Sequence, residues 1–137
     1  AKEDAEAGNP EAQYLHAQML MDEPNGWEEG LEWLIKSADQ EYAPAMNTLA
    51  WYRATHKQEN YRNGEEAVRL AEAACAQNRC ATYVDTLAAA YAEIEAWDKA
   101  VTTQKEAIQL LSETEEGDRA GYEDRLKVIM SRKKIRE

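Results

Sequence analysis

Phenylalanine is absent from this 137-residue chain, and histidine, cysteine, proline and glycine number only two, two, three and six. So little proline and glycine leaves long stretches without a helix breaker. Two histidines leave little material for a metal cluster or a proton relay. No His-Glu-x-x-His, Gly-x-Ser-x-Gly or glycine-rich phosphate loop occurs. No apolar run approaches the ~20 residues that a membrane-spanning helix needs. Cations are also scarce through most of the chain. Residues 1–124 hold 10 Lys/Arg against 26 Asp/Glu. Such an acidic body repels a phosphate backbone, which argues against a nucleic-acid partner.

What is present suits one folded domain. Hydrophobic residues make up 44% and charged residues 31% of the chain, a balance that argues against disorder. Four Trp, seven Tyr and four Met supply the bulk. Apolar positions recur with a helical period. Trp27, Leu31, Leu34, Ile35 and Ala38 fall on one face, as do Ala67, Leu70, Ala71, Ala74 and Cys75. Trp97, Ala100, Val101, Ala107, Ile108 and Leu111 make a third such face. In each, a small residue recurs seven apart: Gly30 and Ser37, Ala67 and Ala74, Ala100 and Ala107. Small residues at these points let paired helices approach closely.

Helix starts are legible as well. Asn9 then Pro10 is an N-cap followed by proline in the first helical position. "NGWE" (Asn25 to Glu28) and "NGEE" (Asn63 to Glu66) resemble capping boxes. The pattern predicts helices over 10–21, 26–40, 43–56, 64–77, 82–94 and 97–112. A short helix ends near Ala7, and a last one covers about 118–132. The Thr55–Gly64 stretch is the one long connection, with a solvated His56. His16 is expected as a partly buried structural residue.

The segments also repeat one another. "NTLAWYRA" (Asn47 to Ala54) and "DTLAAAYA" (Asp85 to Ala92) share Thr, Leu, Ala and a final Ala in register, and Ala12 and Ala17 match Ala45 and Ala50. Val84, Leu87, Ala88, Tyr91, Ala100, Gln104 and Ala107 have the spacing of the tetratricopeptide (TPR) pattern. Val84 and Gln104 stand where aromatic residues are usual, which weakens packing there, and Ser112 replaces a closing proline. "AGNPEAQ" with Gly30, Trp33 and the Ser37–Ala38 pair resembles the related Sel-one-like repeat, with His16 where leucine is usual. From about residue 5 onward the chain resembles the C-terminal region of bacterial TPR proteins.

That resemblance implies an all-α fold: an α-solenoid, a right-handed superhelix of antiparallel helix pairs. Repeats cover about 7–42, 43–80 and 81–114, closed by a capping helix with Tyr122, Leu126, Ile129 and Met130 on one face. It implies a non-enzymatic module that binds a neutral or basic protein or peptide on its concave face. In the family register Tyr14, Gln18, Asn47, Trp51, Asp85 and Ala89 line that face, with Glu93 at the rim. The alternative is a regulatory or assembly domain that pairs with further copies through an exposed terminal repeat. "AKEDAEAG" reads as the last turn of a preceding repeat, so the chain is expected to be part of a longer one. No cofactor is expected.

Two chemical features remain. Cys75 and Cys80 are bonded only if a helix ends between them, at "AQNR"; otherwise Cys75 is buried and Cys80 free. A bond implies an oxidising compartment such as a bacterial periplasm, and its absence leaves the cytoplasm equally open. "ETEEGD" (Glu113 to Asp118) is acidic but lacks EF-hand spacing. Finally, residues 125–137 hold six Lys/Arg and one Glu. They read as a solvated helix end whose cations suit the macrodipole, or as a contact for an acidic surface.

Overall fold

The computed structural model describes residues 2–111 and 116–137. Eight α-helices occur among them and no strand: α1 (Lys2–Glu6), α2 (Pro10–Met21), α3 (Trp27–Asp39), α4 (Ala43–Thr55), α5 (Gly64–Gln77), α6 (Ala81–Glu93), α7 (Trp97–Leu110) and α8 (Glu116–Met130). The chain is all-α. It divides into two compact units, Ala1–Leu49 and Ala50–Glu137, with the division inside α4. Ser112 lies outside the described residues, as do the first three residues of the acidic Glu113–Asp118 stretch.

In the first unit α2 packs on α3, and α1 on α2. Asn9 caps α2 by accepting from the Ala12 N–H at 2.9 Å, with Pro10 beginning the helix. The two helices run antiparallel. Ser37 Oγ, late in α3, donates to the Pro10 carbonyl at 2.6 Å. Gly30, early in α3, faces the end of α2: a Cβ there would lie 2.5 Å from Met21 Cγ and 2.9 Å from the Ala17 carbonyl oxygen. The small residues thus mark the crossing. Buried Gln13 ties three helices together. Its Nε2 donates to the Ala5 carbonyl at 3.1 Å, and its Oε1 accepts from Gln40 Nε2 at 2.8 Å.

The expected cap at Asn25 does not form. The N-cap of α3 is Gly26, with no side-chain hydrogen bond. The reason is steric. A Cβ at Gly26 would fall on the Leu20 carbonyl, so the chain needs glycine there, and glycine at the cap offers no side-chain acceptor. Asn63 does cap α5, accepting from the Glu66 N–H at 3.1 Å.

In the second unit α5 packs on α6, α6 on α7, and α7 on α8. Its core is built mostly from alanine. Ala54, Ala67, Ala88, Ala89, Ala90, Ala92 and Ala100 form one buried cluster with Ile129 and Ile135. Ala67, Ala74, Ala100 and Ala107 are all fully buried, so the seven-residue spacing of small residues coincides with contact lines. Trp51, Tyr91, Trp97, Val101 and Val128 pack around the cluster and supply volume.

Three helix ends close through non-glycine residues in the left-handed region: Glu41 at φ 59°, Glu95 at 61° and Arg132 at 56°. After α6, the Glu95 N–H reaches the Ala92 carbonyl and the Ala96 N–H reaches the Tyr91 carbonyl. After α8, the Arg132 and Lys133 N–H groups reach Ile129 and Val128 in the same way. This Schellman pattern satisfies the terminal carbonyls.

Candidate functional site

The six expected partner-binding residues fall into two groups. Tyr14, Gln18 and Asn47 belong to the first unit, and Trp51, Asp85 and Glu93 to the second. Tyr14 is half-buried on α2. Its hydroxyl lies 3.1 Å from Thr48 Oγ1 on α4 and accepts from Gln18 Nε2 at 2.9 Å. Its ring meets Tyr42 edge-on at 5.8 Å. Burial, then the charge of Glu11, pushes the Tyr42 phenol above its usual range. Asn47 is half-buried, and its Oδ1 is enclosed without a hydrogen-bond partner. An enclosed acceptor of that kind costs about 1–3 kcal/mol. His16, half-buried, packs edge-on against Trp33 at 5.3 Å, and its Nε2 is enclosed without a hydrogen-bond partner.

In the second unit the corresponding residues are taken up by the chain's own C-terminal segment. Asp85 is buried. Its Oδ1 accepts from Gln104 Nε2 at 2.8 Å and from Arg125 Nε at 2.9 Å. Gln104 is fully enclosed and also donates to the Tyr122 carbonyl at 3.0 Å. Gln104 therefore builds a polar junction of α6, α7 and α8 rather than leaving a gap. Arg125 lies over two rings, 5.9 Å from the Trp51 centroid and 4.9 Å from that of Tyr122. Burial raises the Tyr122 hydroxyl above its ordinary pKa. Ala89 is buried in the same cluster as Ile129.

Glu93 is held by two arginines. Arg136 Nη1 lies 2.7 Å from Oε1, and Arg62 Nε 3.5 Å from Oε2. Arg136 Nη1 also donates to the Ala54 carbonyl. The Glu137 N–H reaches the Thr55 carbonyl at 3.0 Å, and Ile135 is buried. Residues 131–137 are therefore not part of a helix end, though all but Ile135 are exposed. The helix stops at Met130, and the remaining residues turn back onto α4 and α6. The capping face also differs from expectation: Tyr122 and Ile129 are buried, but Met130 is exposed.

The Thr55–Gly64 stretch is built rather than loose. It contains a 3₁₀ turn at Glu59–Tyr61. Arg62 Nη1 donates to the His56 and Lys57 carbonyls, and Arg53 Nη1 to the Tyr61 carbonyl. His56 is half-buried with its ring 4.7 Å from that of Tyr61, and its Nδ1 accepts from the Gln58 N–H. It is not a free solvated side chain.

Both cysteines are free thiols. Cys75 is buried near the end of α5, and Cys80 is half-buried as the N-cap residue of α6. The helix does end between them, at Gln77, but no bond joins them. Burial pushes the Cys75 thiol up to about 11. Among the described residues, no group of three or more His, Cys, Asp or Glu is gathered as a metal site needs. No described helix is long and apolar enough to cross a membrane.

Comparison with family models, curated proteins and solved structures finds no match for this chain.

Sequence reasoning missed Arg125, Arg136 and Ile135. The available signal was the charge contrast between residues 125–137 and the rest. Asp85 and Gln104 also recur at inward positions of two paired helices, and polar residues there call for a third partner.

Proposed function

We propose that this chain is a non-enzymatic helical-repeat module that binds a protein or peptide of neutral to basic character. In this reading it is a TPR or Sel-one-like α-solenoid with about three repeats, and the first helix of each pair supplies the binding face. One observation carries the reading. The face formed by Trp51, Asp85 and Glu93 already holds a basic amphipathic segment, with Arg125 on Asp85 and Arg136 on Glu93. Ile129 and Ile135 are buried alongside. That is the pattern of recognition expected for a basic helix and the extended segment after it laid on an acidic face, with charges setting the register.

The partner itself is assigned to the equivalent positions of the first unit: Tyr14, Gln18 and Asn47. That unit holds only Lys2 and Lys36 against 11 Asp/Glu. The test is photo-crosslinking from position 18 of the full chain. Tyr14→Ala with Asn47→Ala is expected to abolish capture while the helical circular dichroism is kept. Capture that persists in the folded double variant removes the site from this face.

A second reading, assembly with further copies, is favoured by a separate observation. Leu15, Met19 and Met130 are large apolar side chains that stand exposed.

A further inference from the structure

Two exposed apolar features of this chain complement each other in shape and in charge. The first is a stripe on α2. Glu11, Leu15 and Met19 follow one another at four-residue spacing, and exposed Glu23 lies just beyond the end of the helix. Residues at that spacing lie on one helix face. Leu15 is 50% and Met19 67% exposed. The stripe is thus two apolar side chains between two acids, with Asp22 adjacent and also exposed.

The second is a cleft between α7 and α8. It has a volume of about 470 Å³, and Ile108, Leu126 and Met130 supply its apolar lining. Met130 is 59% exposed. On its rim Lys105 and Lys127 outnumber Glu123. A protruding stripe with acidic ends therefore has a counterpart in an apolar recess with a cationic rim.

We infer that the α2 stripe of one molecule docks into the α7–α8 cleft of a second copy, with Glu11 and Glu23 facing Lys105 and Lys127. The inference rests on the assembly reading and names its surfaces. Like-with-like pairing is disfavoured on both sides. Two stripes would bring Glu11, Asp22 and Glu23 together with their counterparts, in a unit with 11 acids and two cations. Two clefts would face one another with no knob to fill either. The contact therefore pairs unlike surfaces: each copy offers one knob and one recess, and either two copies that exchange knobs or a longer series satisfies it. Two side chains in a cleft bury less than a standard stable interface. Association is accordingly weak and grows with concentration.

The test is sedimentation velocity on the full chain from micromolar to near-millimolar concentration. Wild type is expected to rise in weight-average mass above the monomer as concentration grows, less so in high salt. Met19→Lys spoils the stripe, and Met130→Asp with Lys127→Glu spoils the cleft. All three positions are exposed, and circular dichroism checks that the folds are kept. Each variant alone is expected to stay monomeric. Mixed in equal amounts, the two retain one good stripe and one good cleft. They are expected to form a 1:1 complex of twice the chain mass that grows no further. A wild type that stays at the monomer mass overturns both this contact and the assembly reading. Variants that still associate singly, or a mixture that stays monomeric while wild type assembles, overturn the contact and leave assembly to another surface.

Discussion

Arg125 Nε lies 2.9 Å from Asp85 Oδ1, and the same oxygen accepts from Gln104 Nε2 at 2.8 Å. One carboxylate oxygen thus joins α6, α7 and α8. Removing it leaves Gln104, fully enclosed, with the Tyr122 carbonyl as its remaining bonded acceptor. Asp85→Ala is expected to lower stability by about 2–3 kcal/mol in urea melts, since hydrogen bonds to charged groups exceed neutral ones. Combined with Arg125→Ala in a double-mutant cycle, it should show a coupling well above the scatter of additive pairs. Additive effects would mean that the ion pair does not hold α8.

The alanine contacts are expected to tolerate neither growth nor loss of their neighbours. Ala100 is fully buried and Leu87 nearly so. Ala100→Leu should cost about 1–3 kcal/mol by overpacking. Leu87→Ala should cost about 2–5 kcal/mol by leaving a cavity. Thermal melts equal to wild type for either variant would contradict the α6–α7 packing.

Much of the helical plan was readable from local chemistry, and the exceptions have specific causes. Asn9–Pro10 and Asn63–Gly64 open helices because their caps act within three residues. At α3 the cap position falls on Gly26, where the Leu20 carbonyl, reached only after α2 and α3 turn on each other, admits no side chain. Ile135 stands alone among cations, so no periodicity announces its burial. Asp85 falls on α6 by the local pattern, but its partner Arg125 lies forty residues away. Partner choice between distant charges is decided by the docking of α8, which no local pattern encodes.

The two thiols are expected to differ in reactivity. Burial raises the Cys75 thiol from its ordinary value to about 11, because the thiolate loses its hydration inside the unit. A bulky thiol reagent at neutral pH should label Cys80 first and Cys75 only on unfolding. The sign for stability follows by linkage. The folded chain holds a proton that the unfolded chain releases near pH 9. This contribution is complete below pH 9 and is lost as pH rises towards 11. Tyr42, Tyr91 and Tyr122, all raised by burial, act in the same direction. Equal labelling of both cysteines in the folded protein would contradict the buried position of Cys75.

Glu95 closes α6 at φ 61°, where an ordinary side chain is strained by about 1–2 kcal/mol. Its ion pair with Lys134, at 3.8 Å and well exposed, returns little. Glu95→Gly is therefore expected to stabilise the protein by about 1 kcal/mol, after the greater freedom of glycine in the unfolded chain is counted. Calorimetry showing a lower melting temperature would mean that the glutamate contributes more than its turn geometry indicates.

Nine of the thirteen residues of α6 are buried, among them Ala88, Ala89, Ala90 and Ala92. Neighbouring helices cover it on several sides, and α8 closes over Asp85. Such a helix has no inexpensive way to open by itself. Its amide hydrogens exchange with solvent only when the whole second unit unfolds, so their exchange rate measures the global stability of that unit. The residues after Met130 rest on a few side-chain anchors and exchange on a shorter timescale. Alanine, the smallest side chain able to form this core, thus sets the longest time constant in the unit.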